Sequence, residues 1–328
     1  MSVNNLTKLR YTALGSVFGG GIYYGFSNYA ERQAEQNSST PKAVFLRLSG
    51  PISGGKGGSL QGSKPLNLQN FGSQLEKCFK AKNAVAVCLE IDSPGGSPAQ
   101  SSLLHSRLVH LRKKYPDAPP VLAFCTDVCA SGGYYIASAC DEILVLPSTI
   151  IGSIGVVSPN VGLVELMKKY GIEDRTMTAG RSKVGDSPLA PKNFEAIAQK
   201  TAILNELHED FMAKVISGRG DKLKHDAAAE YQCSVKGEKG YSVTSTILKN
   251  LTFGLFHGPP KNSDLALFDG SVYTGKKAVE FGLADSLYDD MEGFVRGRYG
   301  KGVKITELKQ KPSIREVIEQ AAGGGLSR

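Results

Sequence analysis

The sequence predicts an α/β fold in which crossover helices connect the strands of a parallel sheet. Short apolar runs alternate with amphipathic stretches, and two of the runs end in turns that contain paired glycines. Alternation of this kind is typical of βαβ units, because parallel neighbouring strands need a crossover connection. With 328 residues, 41% of them hydrophobic, the chain can bury a full core, and its composition excludes a disordered or fibrous protein.

The elements follow from the spacing of apolar residues, which is continuous in buried strands and close to 3.6 in helices. The apolar runs predict strands at residues 43–48, 84–91, 120–126, 142–146, 154–157 and 173–177. The amphipathic stretches predict helices at residues 71–82, 98–115, 161–170 and 192–216. The glycine-rich residues 53–63 indicate a loop.

The N-terminal region carries a second signal. Residues 11–30 contain no charged side chain, although five glycines dilute their hydrophobicity, and twenty residues can just cross a bilayer as a helix. We expect a single-pass anchor here, with a cleaved targeting peptide and a disordered tail as alternatives. Residues 1–30 hold basic and hydroxyl side chains but no acid, as mitochondrial or plastid transit sequences do. The expected location is therefore a mitochondrial or plastid membrane, or the bacterial inner membrane in a prokaryote.

The most informative turn follows the strand at 120–126, where residues 130–135 read Ala-Ser-Gly-Gly-Tyr-Tyr. This pattern ends a strand, turns sharply and starts a helix, so Ser131 would lie near free backbone N–H groups that can hold an oxyanion. An N-cap serine on an ordinary helix is the alternative. The strand at 84–91 ends in a second turn, Ser-Pro-Gly-Gly at 93–96, whose glycines permit close backbone approach. Two such strand ends can face each other across a carbonyl group.

A nucleophilic serine needs a base, and histidine is the usual one. None of the five histidines lies in a glycine-framed turn, and His105 and His110 fit solvated helix positions best. Lys183 is the better candidate, because it lies in a stretch rich in turn-forming residues. The alternative for Lys183 is an ordinary surface lysine.

Four motifs in order carry a family resemblance: Ser-Pro-Gly-Gly at 93–96, Ala-Ser-Gly-Gly-Tyr-Tyr at 130–135, Gly-Ser-Ile-Gly-Val at 152–156 and Gly-Arg-Ser-Lys at 180–183. Together they resemble the signal peptide peptidase A family of Ser-Lys serine proteases, in its single-copy short form. The match extends over roughly residues 43–290. It implies the crotonase-like Clp-protease fold.

The resemblance also implies roles for individual residues. Ser131 would be the nucleophile, Lys183 the general base, and Ser153 a hydrogen-bonding partner that orients the lysine. The N–H groups of Gly96 and Gly132 would form the oxyanion hole. Family members commonly show Gly-Lys-Tyr-Lys-Asp around the base, whereas residues 180–184 read Gly-Arg-Ser-Lys-Val, which leaves loop geometry and substrate preference open.

The implied function is that of a membrane-associated serine endopeptidase. It would cleave hydrophobic peptides, such as signal peptide remnants or membrane-protein fragments. In two-copy family members one half supplies the lysine and the other the serine, so a single-copy chain is expected to form a homo-oligomer with shared active sites. The alternative is a crotonase-like acyl-thioester enzyme or a catalytically silent scaffold, neither of which needs Ser131, Lys183 and Ser153 together.

No metal or other cofactor is expected. Cys125 and Cys129 form a C-x-x-x-C pair, but no second pair or histidine stands at ligand spacing. The six cysteines fit small buried hydrophobes better than a disulfide framework. The formal net charge of +8 comes without a nucleic-acid-binding motif, so we expect a solvated basic surface and no nucleic-acid partner.

These predictions divide the chain into three parts. Residues 1–42 form the N-terminal targeting or membrane anchor and its linker. Residues 43–300 form the Ser-Lys peptidase domain, with a possible insert at 233–264 that matches no family motif. Residues 301–328 form a basic C-terminal tail.

Overall fold

The computed structural model describes residues 40–55, 64–180, 182–236 and 266–308. The strands are β1 Lys42–Ser49, β2 Ala84–Ser93, β3 Val121–Ala130, β4 Glu142–Val145, β5 Ile150–Gly152, β6 Val272–Thr274, β7 Ser286–Leu287 and β8 Lys304–Glu307. The α-helices are α1 Leu68–Phe79, α2 Pro98–Lys114, α3 Gly132–Ala137, α4 Val164–Lys169, α5 Phe194–Arg219, α6 His225–Lys236, α7 Gly275–Glu280 and α8 Met291–Tyr299.

The eight strands form one sheet in the order β6-β5-β3-β2-β1-β8, with β4 paired to both β3 and β7. Strands β5 and β6 pair antiparallel, and the other pairings between described strands are parallel. Helices α1 and α2 provide the crossovers between β1, β2 and β3. The prediction of an α/β fold with a mostly parallel sheet is confirmed.

Both faces of the sheet are buried, as a parallel sheet requires. Along β1, Val44 and Leu46 pack into one apolar cluster, whereas Ala43 and Phe45 pack into a second cluster on the opposite face. The alternation follows from the two-residue period of a strand. The larger cluster includes residues of α1, α2, α3 and α5, so the helices that carry the candidate site rest directly on the sheet.

Two of the predicted strands are wrong. Residues 154–157 contain no strand, because the strand in this region is β5, which ends where Gly152 and Ser153 adopt φ angles of 106° and 52°. Residues 173–177 also contain no strand and are fully exposed, with no neighbouring strand to pair with among the described residues. An apolar run forms a strand only where a neighbouring strand can pair with it.

The helix starts depend on side chains that cap them. Helix α1 begins at Leu68, three residues before the predicted start, because the Asn67 side chain accepts a hydrogen bond from the amide of Asn70 at 2.9 Å. Helix α2 begins at Pro98 as predicted, after the cap residue Ser97. Proline fits this first position because its missing N–H group would have no helical partner there.

The sheet continues past the C-terminal boundary that we expect for the peptidase domain. Strand β8 pairs in parallel with β1, so the sheet extends to Glu307, beyond the expected boundary at residue 300. The expected anchor at 11–30 and most of the expected insert at 233–264 lie outside the described residues. Among the described helices, none has both the length and the apolar character needed to cross a bilayer.

The cysteines behave as the sequence predicts. All six lie in the described ranges and are unpaired, and five of them are buried. Burial raises the pKa of the Cys78 thiol to about 12, so this side chain stays a neutral thiol at physiological pH.

A buried ion pair fixes the C-terminal end of α5 to the sheet. The Arg219 guanidinium, whose side chain is 1% exposed, binds the Asp285 carboxylate at 2.6 Å and the carbonyl oxygen of Gly282 at 2.8 Å. Asp285 also accepts a hydrogen bond from the amide of Ile143 in β4 at 2.7 Å. Burial alone would raise the pKa of Asp285, but hydrogen bonds from Arg219 and Lys222 outweigh it and hold that pKa below its ordinary value.

We predict that Asp285→Ala lowers the free energy of unfolding by about 3–5 kcal/mol, because it leaves the Arg219 charge buried and unpaired. Lys222→Ala is the matched control: this lysine binds the same carboxylate from a side chain that is 50% exposed, and its loss should cost less than about 1 kcal/mol. Urea unfolding at pH 7 measures both. Since the folded pKa of Asp285 is depressed, its contribution is present above the unfolded value of about 4 and is lost as pH falls through the folded one. Equal losses in the two variants would contradict the prediction.

Candidate active site

Ser131 occupies a strained turn between β3 and α3. Its φ and ψ angles are 50° and −122°, a conformation that costs a residue with a side chain about 1–3 kcal/mol. Hydrogen bonds on both sides hold it: its amide donates to the carbonyl oxygen of Gly152 at 2.9 Å, and its carbonyl oxygen accepts from the amide of Tyr135 at 2.9 Å. The hydroxyl makes no capping hydrogen bond to α3. Ser131 is therefore not an ordinary N-cap serine.

The glycine turn after β2 lies directly against the start of α3. A methyl group at Gly95, whose φ is 95°, would have its carbon 2.6 Å from the amide nitrogen of Gly132. A methyl group at Gly133 would have its carbon 2.7 Å from the carbonyl oxygen of Ser93. Both distances are far below van der Waals contact, so any side chain at these positions would push the two backbones apart.

The amide of Gly96 is left unused by the bonds that fix its turn. The amide of Ile52 donates to the carbonyl oxygen of Gly95 at 2.8 Å, and the amide of Ser97 donates to that of Ile52 at 2.8 Å. Gly96 stands between them, and its N–H group has no hydrogen-bond partner among the described residues. The Gly132 amide lies in the first turn of α3, where the helix supplies no acceptor. Two backbone donors are thus free to bind an oxyanion.

A cavity of about 820 Å³ joins these groups. Its walls come from the two turns, the start of α2, the middle of α5, and the loops that follow β5 and precede β6. The lining residues include Ser131, Gly132, Gly96, Ser153, Ala99, Val157, Leu207, Phe211, Asp210 and Asp269. This volume accommodates a peptide side chain together with the adjoining backbone.

Ser153 reaches the cavity through a second left-handed turn. Its φ angle is 52°, and its amide donates to the carbonyl oxygen of Ser271 at 2.8 Å. The two serines are fixed by one peptide group at the end of β5, because the carbonyl oxygen of Gly152 accepts from the amide of Ser131 and the amide of Ser153 donates to Ser271. The structure therefore brings Ser131 and Ser153 to the same cavity, together with Gly96 and Gly132.

The far wall of the cavity contains a polar pair that the sequence does not reveal. The hydroxyl of Tyr135 donates to the carboxylate of Asp210 at 2.5 Å, which links α3 to α5. Burial, with this hydrogen bond as a further cause, raises the pKa of Tyr135 to about 12. The two residues are 75 positions apart, so no local pattern could connect them.

The prediction of a solvated His105 is wrong. The ring is 7% exposed and packs edge-on against Tyr135, with a centroid distance of 5.3 Å. Burial, together with the nearby Lys214, lowers the pKa of His105 to about 4, so the ring is neutral at physiological pH. It is not among the described residues that line the cavity.

Lys183 lies apart from the other candidate residues. It is exposed, its amide donates to the carbonyl oxygen of Gly180 at 3.1 Å, and the described residues that line the cavity do not include it. Within one chain, the structure therefore does not bring Lys183 to Ser131.

The segment that contains Lys183 has many exposed hydrophobic side chains. Large hydrophobic side chains between residues 157 and 203 face solvent, among them Met177 at 96%, Val157 at 83%, Phe194 at 80% and Tyr170 at 67%. Isolated exposed hydrophobic residues are normal, whereas a contiguous patch of them is typical of an interaction surface.

We predict that Gly95→Ala lowers stability by more than about 1 kcal/mol, since it combines a left-handed φ with the contact to Gly132. It should also abolish reaction of Ser131 with a fluorophosphonate probe. Gly297→Ala in α8 is the matched control: nothing lies within 4 Å of the added methyl group, and stability should rise by up to about 1 kcal/mol. Thermal unfolding and probe labelling measure the two effects. Normal labelling of Gly95→Ala would show that close approach of the turns is unnecessary.

The chain is similar to a protein-family model and to curated proteins. Residues 114–240 match the model of peptidase family S49. The chain is 38% identical over 269 residues to the protein named Na(+)/H(+) antiporter NhaA of Brucella abortus, covering 82% of this chain and 31% of that protein. It is 29% identical over 266 residues to a putative signal peptide peptidase SppA of Enterococcus faecium, covering 81% of this chain and 65% of that protein. The chain thus spans less than two thirds of the length of both relatives.

A solved structure shows a more distant likeness. It is a variant of the 1510-N membrane-bound stomatin-specific protease in complex with a substrate peptide. The likeness covers 88% of this chain and 100% of that one, with 15% sequence identity and a TM-score of 0.42.

Proposed function

Since the chain belongs to peptidase family S49, we propose that it is a membrane-associated serine endopeptidase that cleaves hydrophobic peptides. One observation carries the proposal: Ser131, whose hydroxyl makes no capping hydrogen bond, lines the same cavity as two backbone amides that have no acceptor among the described residues. A backbone oxyanion hole beside an exposed serine hydroxyl is the arrangement that acyl transfer requires. Family membership also supports assigning the sheet to the crotonase-like Clp-protease fold.

The proposed reaction proceeds through an acyl-enzyme. Ser131 Oγ attacks the scissile carbonyl carbon while the amine of Lys183 takes the hydroxyl proton. The Gly96 and Gly132 amides bind the oxyanion of the tetrahedral intermediate. The intermediate collapses, the peptide C–N bond breaks, and the lysine returns its proton to the leaving amine. Water then hydrolyses the ester by the same steps, with Lys183 again as the base.

Ser153 has a supporting role in this scheme. Its hydroxyl accepts a hydrogen bond from the lysine amine, or donates one to it, and so keeps the amine directed at Ser131. A lysine amine accepts a proton only in its neutral form, which burial away from water favours. The base must therefore act in an enclosed site.

The position of Lys183 supports a homo-oligomer in which subunits share active sites. The lysine is exposed in one chain and lies within residues 157–203, which also carry many exposed hydrophobic side chains. A second copy covering this segment would bury its exposed hydrophobic side chains and enclose the lysine at the same time. A repeated head-to-tail contact of this kind closes into a ring when its rotation permits.

The cavity walls support apolar substrates. Ala99, Val157, Leu207 and Phe211 offer hydrophobic surface beside Ser131. Signal peptide remnants and membrane-protein fragments have suitable side chains. We also propose that residues 11–30 anchor the protein in a mitochondrial or plastid membrane, or in the bacterial inner membrane in a prokaryote. That segment lies outside the described residues.

We predict that Ser131→Ala and Lys183→Ala each abolish hydrolysis of an apolar fluorogenic peptide and leave the unfolding temperature unchanged. Ser153→Ala should reduce kcat by about a hundredfold, the size typical of assistance to proton transfer. Lys276→Ala removes another exposed lysine, on α7, and should retain full activity. Near-normal activity of Lys183→Ala would exclude it as the base.

Mixing the two inactive variants tests the shared site. With equal amounts of Ser131→Ala and Lys183→Ala, about a quarter of the interfaces in a randomly mixed ring pair an intact serine with an intact lysine. Activity should therefore return to about that fraction of the wild-type value. Oligomers verified as mixed by mass spectrometry that stay inactive would place both residues within one chain.

A further inference from the structure

The loop before β6 holds the backbone of Ser153. The carbonyl oxygen of Ser271 accepts the hydrogen bond from the amide of Ser153 at 2.8 Å, and in the adjoining strands Gly152 pairs with Val272. The same loop supplies Asp269 to the cavity wall. The left-handed conformation of Ser153 therefore depends on the position of residues 266–274, which we term the support loop.

One side chain ties the two ends of the support loop together. Gln232 of α6 is 7% exposed, and its Nε2 atom donates to the carbonyl oxygen of Ala266 at 2.7 Å and to the Tyr273 hydroxyl at 2.7 Å. The Tyr273 hydroxyl donates in turn to the carbonyl oxygen of Ala266 at 3.1 Å. Since an amide nitrogen carries two hydrogens, these two short bonds use both of them. The three groups form a closed, buried ring.

The same nitrogen stands 3.3 Å from the hydroxyl of Ser271, whose carbonyl oxygen holds Ser153. Further support comes from within the loop, where the Asp269 carboxylate accepts from the amide of Ser271 at 2.9 Å. The ring contacts of this region are those of Tyr273 with Phe281, at a centroid distance of 5.1 Å, and with Tyr231, and that of Phe268 with His225 of α6 at 4.9 Å. These ring contacts orient the aromatic side chains but supply no hydrogen-bond donor to the carbonyl oxygen of Ala266. Without the amide of Gln232, the carbonyl oxygen of Ala266 loses its hydrogen bond to α6.

We propose that Gln232 is a positioning residue for catalysis, acting through Ser271 on Ser153. By fixing both ends of the support loop, it keeps the Ser271 carbonyl oxygen where the strained Ser153 backbone needs it. The Ser153 hydroxyl then stays at the place where it orients the lysine base. This inference rests on the proposed function, because it assigns Gln232 to the same reaction.

The test replaces the amide by an apolar side chain of similar size. Gln232→Leu should lower kcat for peptide hydrolysis by about ten- to a hundredfold with KM nearly unchanged, because misplacement of a reacting group affects the transition state more than binding. The rate of fluorophosphonate labelling at Ser131 should fall in parallel. Gln74→Leu, the same change in α1 far from the cavity, should leave both rates at the wild-type value.

A double-mutant cycle separates positioning from a general loss of structure. If Gln232 acts through Ser153, Gln232→Leu should have little further effect in the Ser153→Ala background, since the two side chains then serve one step. Tyr273→Phe keeps the bond from Gln232 to Ala266 and should reduce kcat less than Gln232→Leu does. This milder variant keeps the test decisive where Gln232→Leu fails to fold.

The outcomes are distinct. A folded Gln232→Leu with wild-type kcat and labelling rate overturns this inference and leaves the proposed function standing. Where the leucine variant does not fold, wild-type values in Tyr273→Phe have the same meaning. Additive losses in the double-mutant cycle also overturn the inference alone. Absence of Ser131-dependent labelling in the wild-type protein overturns the proposed function, and this inference with it.

Discussion

The site depends on the contact between two backbones, the turn after β2 and the first turn of α3. Gly95 and Gly133 let peptide groups meet where a Cβ atom would lie within 3 Å of a backbone atom. The contact places the unused amides of Gly96 and Gly132 on one cavity. It also forces the chain to leave β3 sharply, which gives Ser131 its left-handed conformation. The proposed oxyanion donors and the proposed nucleophile thus depend on the same packing.

Hydrogen bonds to the sheet and its loops stabilise the strained backbone of this region. Ser131 and Ser153 both have positive φ angles, each at a cost of about 1–3 kcal/mol, and both use their amides in hydrogen bonds to neighbouring chain segments. Strand β5 stands between them, pairing in parallel with β3 and antiparallel with β6. The peptide group between Gly152 and Ser153 therefore lies between the Ser131 turn and the support loop and forms a hydrogen bond with each of them. Conformations of this kind persist only where the surroundings determine them fully.

The features that could be predicted from the sequence are local ones. Strand β2, the glycine turn after it and the Ser131 turn each occupy a few consecutive residues whose chemistry defines the backbone. The errors come from long-range packing. Residues 154–157 are apolar enough for a strand, yet the turn at Gly152 and Ser153 ends β5 first. His105 is buried because Tyr135 covers it, and the support of Ser153 by Gln232 joins segments about eighty residues apart. Lys183 shows a further limit of sequence-based prediction, since within one chain it does not line the cavity that contains Ser131.

We infer that this strained turn makes Ser131 the nucleophile, and the position of a covalent adduct tests that inference. The full-length protein is treated with a fluorophosphonate, digested and analysed by peptide mass spectrometry. We expect one adduct, on the Ser131 hydroxyl, whose yield follows the loss of peptidase activity. An adduct on Ser153 or another serine, or inactivation without modification of Ser131, would contradict it.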